Sequence, residues 1–292
     1  MKRKPIQLFV SDMDGTLLQA DFTISSGNLE AIRKLEAAGI RFAVATGRIH
    51  YDASVICSRH SLEPYIISNN GTCMFDPEGK FIEGREIEST AVKSLIRFLE
   101  EENICFGLGE SRHYVAREDW QEVFEKEIED LKKEGKAVSE ERAAFIKQET
   151  REQNGVMLVK DMQEHWKQGA PVYSISVISC DDRKIRKVQN QVRSYEGLTA
   201  CISGTHNAEI MRQDGTKGHM LELLCSHLQI PLEQTAAAGD SLNDLEMIEK
   251  SGFGIAMGNG REEVKRAASL VTRPAREDGI AEAAAYILKN LQ

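Results

Sequence analysis

Apolar positions along the chain fall into two patterns. Short, mostly apolar runs, Ile6 to Val10, Ile40 to Ala45, Tyr65 to Ile67 and Phe253 to Met257, read as strands buried on both faces, the habit of parallel sheets. Thr235 to Ala238 is a strand of small residues. Between these runs the apolar residues recur at helical spacing. Leu29, Ile32 and Leu35 mark one helix, with Ser25 or Ser26 as its N-cap and Gly39 as its stop. Met220, Leu221, Leu224 and Leu228 mark another, opened at Thr216-Lys217-Gly218 and ended by Pro231. His50 to His60, Val264 to Ala268 and Asp278 to Leu291 are also expected as helices, and Ser269 to Thr272 as a last short strand.

The middle of the chain reads differently. Val92, Leu95, Ile96 and Leu99 form an i, i+3, i+4, i+7 stripe, and Trp120, Val123, Phe124, Ile128 and Leu131 a second amphipathic helix. Strand-like segments at Ile104 to Leu108, His113 to Arg117, Pro171 to Ile178 and Leu198 to Ile202 sit among these, with a helix carrying Ile185, Val188 and Val192. From Asn207 the parallel pattern is expected to return, with Ala208 to Met211 extended.

Alternation of strand and helix predicts an α/β fold: a Rossmann-like, doubly wound parallel-sheet core with a separate α+β unit inserted in it. The expected division is 1–82 plus 203–292 for the core and 83–202 for the insert. A chain of 292 residues is long enough for both to have real cores.

In open parallel sheets ligands bind beyond the carboxyl ends of the strands. The first strand delivers Asp12 and Asp14 into a Gly15-Thr16 turn there. Two carboxylates crowded in a turn repel each other, an arrangement that makes sense around a cation. The second strand ends in Thr46-Gly47-Arg48, whose hydroxyl and amides suit a phosphate oxygen. Attack on a phosphomonoester by a carboxylate is uphill unless cations neutralise the phosphoryl group. Asp240, beyond the strand at 235–238, can join Asp12 and the backbone carbonyl of Asp14 around Mg²⁺. Lys217 at a helix start can reach phosphoryl oxygens, and Thr46 with the amides of Met13 and Gly47 can complete the cradle. The bland alternatives are ordinary too. Asp240 and Asp244 could cap the next helix, Lys217 could be a surface lysine, Asn69 and Asn70 read as turn formers, and Arg48 as either a loop anchor or a substrate contact.

Taken in order, Asp12-x-Asp14-Gly15-Thr16, Thr46-Gly47-Arg48, Lys217 and Gly239-Asp240-x-x-Asn243-Asp244 resemble the four motifs of the haloacid dehalogenase superfamily. Gly254 to Asn259 and Glu277-Asp278-Gly279-Ile280 are similar to its Cof-like sugar-phosphatase branch, with Gly260 where relatives often carry Ala. The likeness covers both chain ends; the middle matches in size and placement alone. It implies Asp12 as nucleophile, forming an aspartyl-phosphate, and Asp14 as the acid that protonates the leaving alkoxide and the base for the attacking water. It further implies Mg²⁺ held by Asp12, Asp14 and Asp240 with Asp244 in support, and phosphate contacts from Met13, Thr46, Gly47, Lys217 and Asn243. An acid at position 14 favours hydrolysis over a stable phosphoenzyme. Only about thirty residues separate Asp14 from Thr46, too few for a domain. The insert after Thr46 therefore resembles the Cof-like α/β lid, which would exclude water and choose the leaving group.

Composition narrows the partners. The formal net charge is −9, which argues against nucleic acid or anionic membrane and requires any phosphate site to be locally positive. The basic start Met1 to Lys4 precedes an apolar run too short for a signal peptide or a membrane span. Six scattered cysteines without a Cys-x-x-Cys pair read as reduced thiols of a cytoplasmic protein. The expected activity is thus Mg²⁺-dependent hydrolysis of a small phosphorylated metabolite such as a sugar phosphate. A phosphomutase of the phosphomannomutase type and a non-catalytic phosphometabolite sensor are the alternatives. Substrate and oligomeric state are not legible in the sequence.

Overall fold

The computed structural model describes residues 5–136, 138–140, 143–144, 154–167, 169–202 and 207–291. The basic start at 1–4 and the expected boundary at 203 lie outside them. Contacts divide the chain into two compact units, Met1–Glu83 with Gly215–Gln292, and Gly84–Asp214.

The first unit is built on an eight-stranded sheet. Its strands are β1 (Leu8–Ser11), β2 (Arg41–Ala45), β3 (Tyr65–Ser68), β4 (Cys73–Phe75), β5 (Phe81–Gly84), β12 (Thr235–Gly239), β13 (Phe253–Ala256) and β14 (Leu270–Val271), in the order β14-β13-β12-β1-β2-β3-β4-β5. The six from β14 to β3 run parallel; β4 pairs antiparallel with β3. The uninterrupted apolar run of β1 explains the layering. Phe9 faces one cluster, with Ile32, Leu35, Phe42, Ile280 and Ile287, while Leu8 and Val10 face another, with Ala43, Ile67, Leu221, Leu224 and Met247. Helices thus cover both faces, and each side chain of this size removed from water contributes about 1.5–3 kcal/mol. The chain leaves β1 toward β2 and β3, then returns on the other side at β12. The strand order therefore reverses between β1 and β12, the crevice where parallel sheets bind ligands.

Predicted helix ends are largely met. The helix Ser26–Ala37 is capped by Ser25, whose side chain accepts from the Asn28 amide, and Gly39 follows with φ +82°. Thr216 caps Lys217–Leu228 in the same way, accepting from the His219 amide.

The second unit holds a six-stranded sheet: β6 (Cys105–Glu110), β7 (Tyr114–Arg117), β8 (Val156–Val159), β9 (Val172–Ile178), β10 (Leu198–Ile202) and β11 (Asn207–Arg212), ordered β10-β11-β9-β6-β7-β8. The helices Ser89–Glu101 and Asp182–Val192 pack Leu95, Leu99, Val188 and Val192 with Leu108, Val115, Ile175 and Ile210 of this sheet. The sequence expectation needs correction at β11. Rather than rejoining the parallel core, Asn207–Arg212 pairs antiparallel with both β9 and β10. An apolar alternation does not encode which sheet a strand joins; its neighbours do. Two elements, β8 and the short helix Met162–Trp166, were not foreseen. β8 forms a sheet edge with Met157 and Leu158 exposed, so it has no buried face to show as a period. In the helix Trp120–Lys133 the buried side includes Glu127, which the apolar stripe does not forecast. Its carboxylate accepts from Ser179 Oγ and the Cys180 amide and pairs with Lys184, which makes burial tolerable.

Candidate active site

Asp12 follows β1 and Asp240 follows β12, so the strand-order reversal sets them side by side. Register carries across the gap: the Asp12 amide donates to the Ala238 carbonyl at 2.9 Å. Gly15, at φ +79°, bends the chain back so closely that a Cβ there would lie 2.7 Å from Asp240 Oδ2. Thr16 Oγ1 donates to Asp240 Oδ1 at 3.2 Å, and Asn259 Nδ2 holds the Gly15 carbonyl at 2.8 Å.

Lys217 is the centre of charge. It is 1% exposed, and its Nζ donates to Asp12 Oδ1 and to Asp244 Oδ1, each at 2.7 Å. Asp244 uses its other oxygen to accept from the Asp240 and Ser241 amides, both at 3.0 Å. Asp244 thus does not cap the helix Leu245–Lys250 that follows it. It closes a capping box on the short turn Leu242–Asp244, with Ser241 as N-cap, and it binds Lys217 as well. One oxygen each of Asp12, Asp240 and Asp244 lies within 4.8 Å of the others.

This set is short of positive charge. Burial, then the charge of Asp244, pushes the Asp12 carboxyl well above its usual range against the pull of Lys217. Burial, then Asp244, raises Asp240 to about 6, with the Thr16 hydrogen bond opposing. Burial works against the Lys217 ammonium, yet Asp12 and Asp244 outweigh it and its pKa is raised. Three carboxylates around one ammonium fit a divalent cation, which would relieve the repulsion. Asp244 is the most firmly engaged of the three, by Lys217 at 2.7 Å and two backbone amides at 3.0 Å. Asp240 accepts from the hydroxyls of Thr16 at 3.2 Å and Ser241 at 3.5 Å and is the better placed, with Asp12, to hold the cation.

The Asp14 side chain is placed apart from that set. Arg48 grips both its oxygens, Nε to Oδ2 at 2.7 Å and Nη2 to Oδ1 at 2.6 Å, and sends Nη1 to the buried Asp52 at 2.6 Å. The ring of Phe22 lies under the guanidinium at 4.8 Å. Burial disfavours the charged Arg48, but Asp14 and Asp52 together raise its pKa. Of the two options read from the sequence the geometry fits the loop anchor: Arg48 ties the Asp14 turn to Asp52. Asp52 four residues on, at i, i+4 spacing, was the available signal.

Of the remaining candidates, Thr46 is buried and its Oγ1 accepts from the Arg48 amide at 3.1 Å. Gly47 is exposed beside Asn70, Met13 is buried, and Asn243 is exposed with its Nδ2 donating to Asn70 Oδ1 at 2.9 Å. Asn70, which the sequence reads as a turn former, stands in the turn Asn69–Gly71, and its contact with Asn243 is the feature the sequence does not show.

Comparison with known proteins follows the same lines. The haloacid dehalogenase-like hydrolase family matches residues 9–283. The chain belongs to that family. It falls in the Cof-like branch and is an enzyme of the phosphoric monoester hydrolase class. It is similar to phosphatase YwpJ of Bacillus subtilis (strain 168), 32% identical over 97% of this chain and 100% of the relative. It is also similar to 5-amino-6-(5-phospho-D-ribitylamino)uracil phosphatase YwtE of the same organism, 29% identical over 92% of this chain and 94% of the relative. A solved haloacid dehalogenase-like hydrolase from B. subtilis superposes with a TM-score of 0.82 at 30% identity, covering 96% of this chain and 99% of the other.

Proposed function

We propose that this haloacid dehalogenase-like enzyme is a Mg²⁺-dependent phosphatase that hydrolyses a small phosphorylated metabolite through an aspartyl-phosphate on Asp12. The observation that carries the reading is the buried Asp12 carboxylate held by Lys217 beside Asp240 and Asp244. Phosphorylated small molecules in the names of the relatives support the substrate class.

Asp12 gives one oxygen to Lys217 and turns the other to phosphorus. A new O–P bond forms as the bond to the leaving oxygen breaks, and Asp14 delivers the proton that the leaving alkoxide takes. In the second half Asp14 takes a proton from water as that water attacks phosphorus, releasing phosphate and restoring Asp12. Arg48 keeps the Asp14 side chain oriented through both halves. Lys217, Thr46, Asn243 and the amides of Met13 and Gly47 are the groups for the phosphoryl oxygens. Asp12, Asp240 and the Asp14 backbone carbonyl would hold Mg²⁺ with Asp244 behind them, and the ion supplies neutralisation of phosphoryl charge when bound. We place the protein in the cytoplasm, a reading supported by six cysteines without a disulfide.

Phosphate release from a panel of sugar phosphates, in Mg²⁺, by wild type and Asp12→Asn tests this. Activity in wild type with at least a thousand-fold loss in the variant is the expected result; equal rates overturn it. Activation by a sugar bisphosphate without net phosphate release would instead indicate a phosphomutase.

A further inference from the structure

The segment Asn69–Asn70–Gly71 has three successive residues in the left-handed region, at φ +50°, +56° and +103°. Such backbone is costly for residues other than glycine, although asparagine tolerates it best. The turn is pinned where it stands. The Asn69 amide donates to the Arg48 carbonyl and the Asn70 amide to the Thr46 carbonyl, each at 2.9 Å. Gly71 lies against the start of the helix Lys217–Leu228, where a Cβ would come 2.3 Å from the Lys217 nitrogen. Three phosphate-side pieces, the 46–48 loop, Lys217 and Asn243, therefore meet at one turn.

The side chain of Asn70 completes the arrangement. Its Oδ1 accepts from Asn243 Nδ2 at 2.9 Å, and the same oxygen would lie 3.0 Å from a Cβ on Gly47. Asn243 is exposed on a short turn of three residues, Leu242–Asp244. An exposed amide on a short turn samples several rotamers unless something holds it. The rigid left-handed turn supplies that hold, because Asn70 is fixed by its own backbone before its side chain is used.

We propose that Asn70 is a positioning residue of this site, whose carbonyl oxygen fixes the Asn243 amide for the phosphoryl group. This rests on the phosphatase reading. The variant Asn70→Gly removes the side chain and keeps φ +56° accessible, so the fold is retained. Calorimetric affinity for inorganic phosphate in Mg²⁺ is the readout that does not depend on turnover. Removal of one hydrogen-bond partner predicts a five- to ten-fold weaker phosphate affinity. KM should rise to match, with kcat changed less than two-fold and an unchanged melting temperature. In the Asn243→Ala background the same substitution should have no further effect. An equal loss in both backgrounds, or none in wild type, overturns the proposal. A wild type that binds phosphate without turning over substrate sinks the phosphatase reading alone. One that turns over, with Asn70→Gly binding phosphate normally, sinks the positioning role alone. A wild type that does neither sinks both.

Discussion

Lys217 Nζ and Asp12 Oδ1 meet at 2.7 Å although 205 residues separate them in the chain, and both side chains are almost wholly buried. The pair is the electrostatic keel of the site. Both charges are largely withdrawn from solvent, so each depends on the other and on Asp244.

Substituting Lys217→Met leaves Asp12 and Asp244 buried without their cation. A loss of about 3–5 kcal/mol in metal-free buffer is expected from an uncompensated buried charge. Urea unfolding measures it. Added Mg²⁺ should recover part of the loss in stability but not the activity.

Stability should depend on pH through Asp240. Its carboxyl is raised from 3.8 to about 6 in the folded state, so folded protein binds that proton more tightly than unfolded chain does. Its contribution favours folding below the unfolded value and is lost as pH rises through about 6. A cation needs the deprotonated form. The rise in melting temperature on adding Mg²⁺ should therefore be larger at about pH 7.5 than at about pH 5. An equal rise at both would contradict the role of Asp240.

Gly15→Ala combines two faults. The residue sits at φ +79°, and the new Cβ would meet Asp240 Oδ2 at 2.7 Å. Strain of about 1–3 kcal/mol in unfolding free energy is expected. Calorimetric titration should also show Mg²⁺ affinity reduced about ten-fold or more, since the carboxylate must move.

Arg48→Met should separate stability from catalysis. Asp52, at 1% side-chain exposure, loses the Arg48 ion pair, while Asp14, at 46%, is resolvated. The cost in unfolding free energy should accordingly come from Asp52, and Asp52→Asn in the same background should recover most of it. The rate loss from an unheld Asp14 should persist in that double variant. Denaturation and kinetics on the same samples check both.

Much of the candidate site is legible in the sequence. Asp12, Lys217, Asp240 and Asp244 each fall just beyond a strand or at a helix start, and β–α alternation puts those positions on one sheet edge. The Asp14–Arg48 pair and the Asn70–Asn243 contact are not legible. They depend on rotamers and on loops far apart in sequence, and no spacing rule reports which side chains meet across a crevice.

The sequence by itself determined the layers. Buried parallel strands demand apolar residues on both faces, amphipathic helices demand a period, and caps and glycines mark their ends, all of which are local. Only the tertiary structure decided which sheet received Asn207–Arg212, why Glu127 is buried, and which carboxylates share Lys217. Those outcomes turn on partners brought in by the fold: a strand is satisfied by any compatible edge, and a buried charge by any well-placed opposite one.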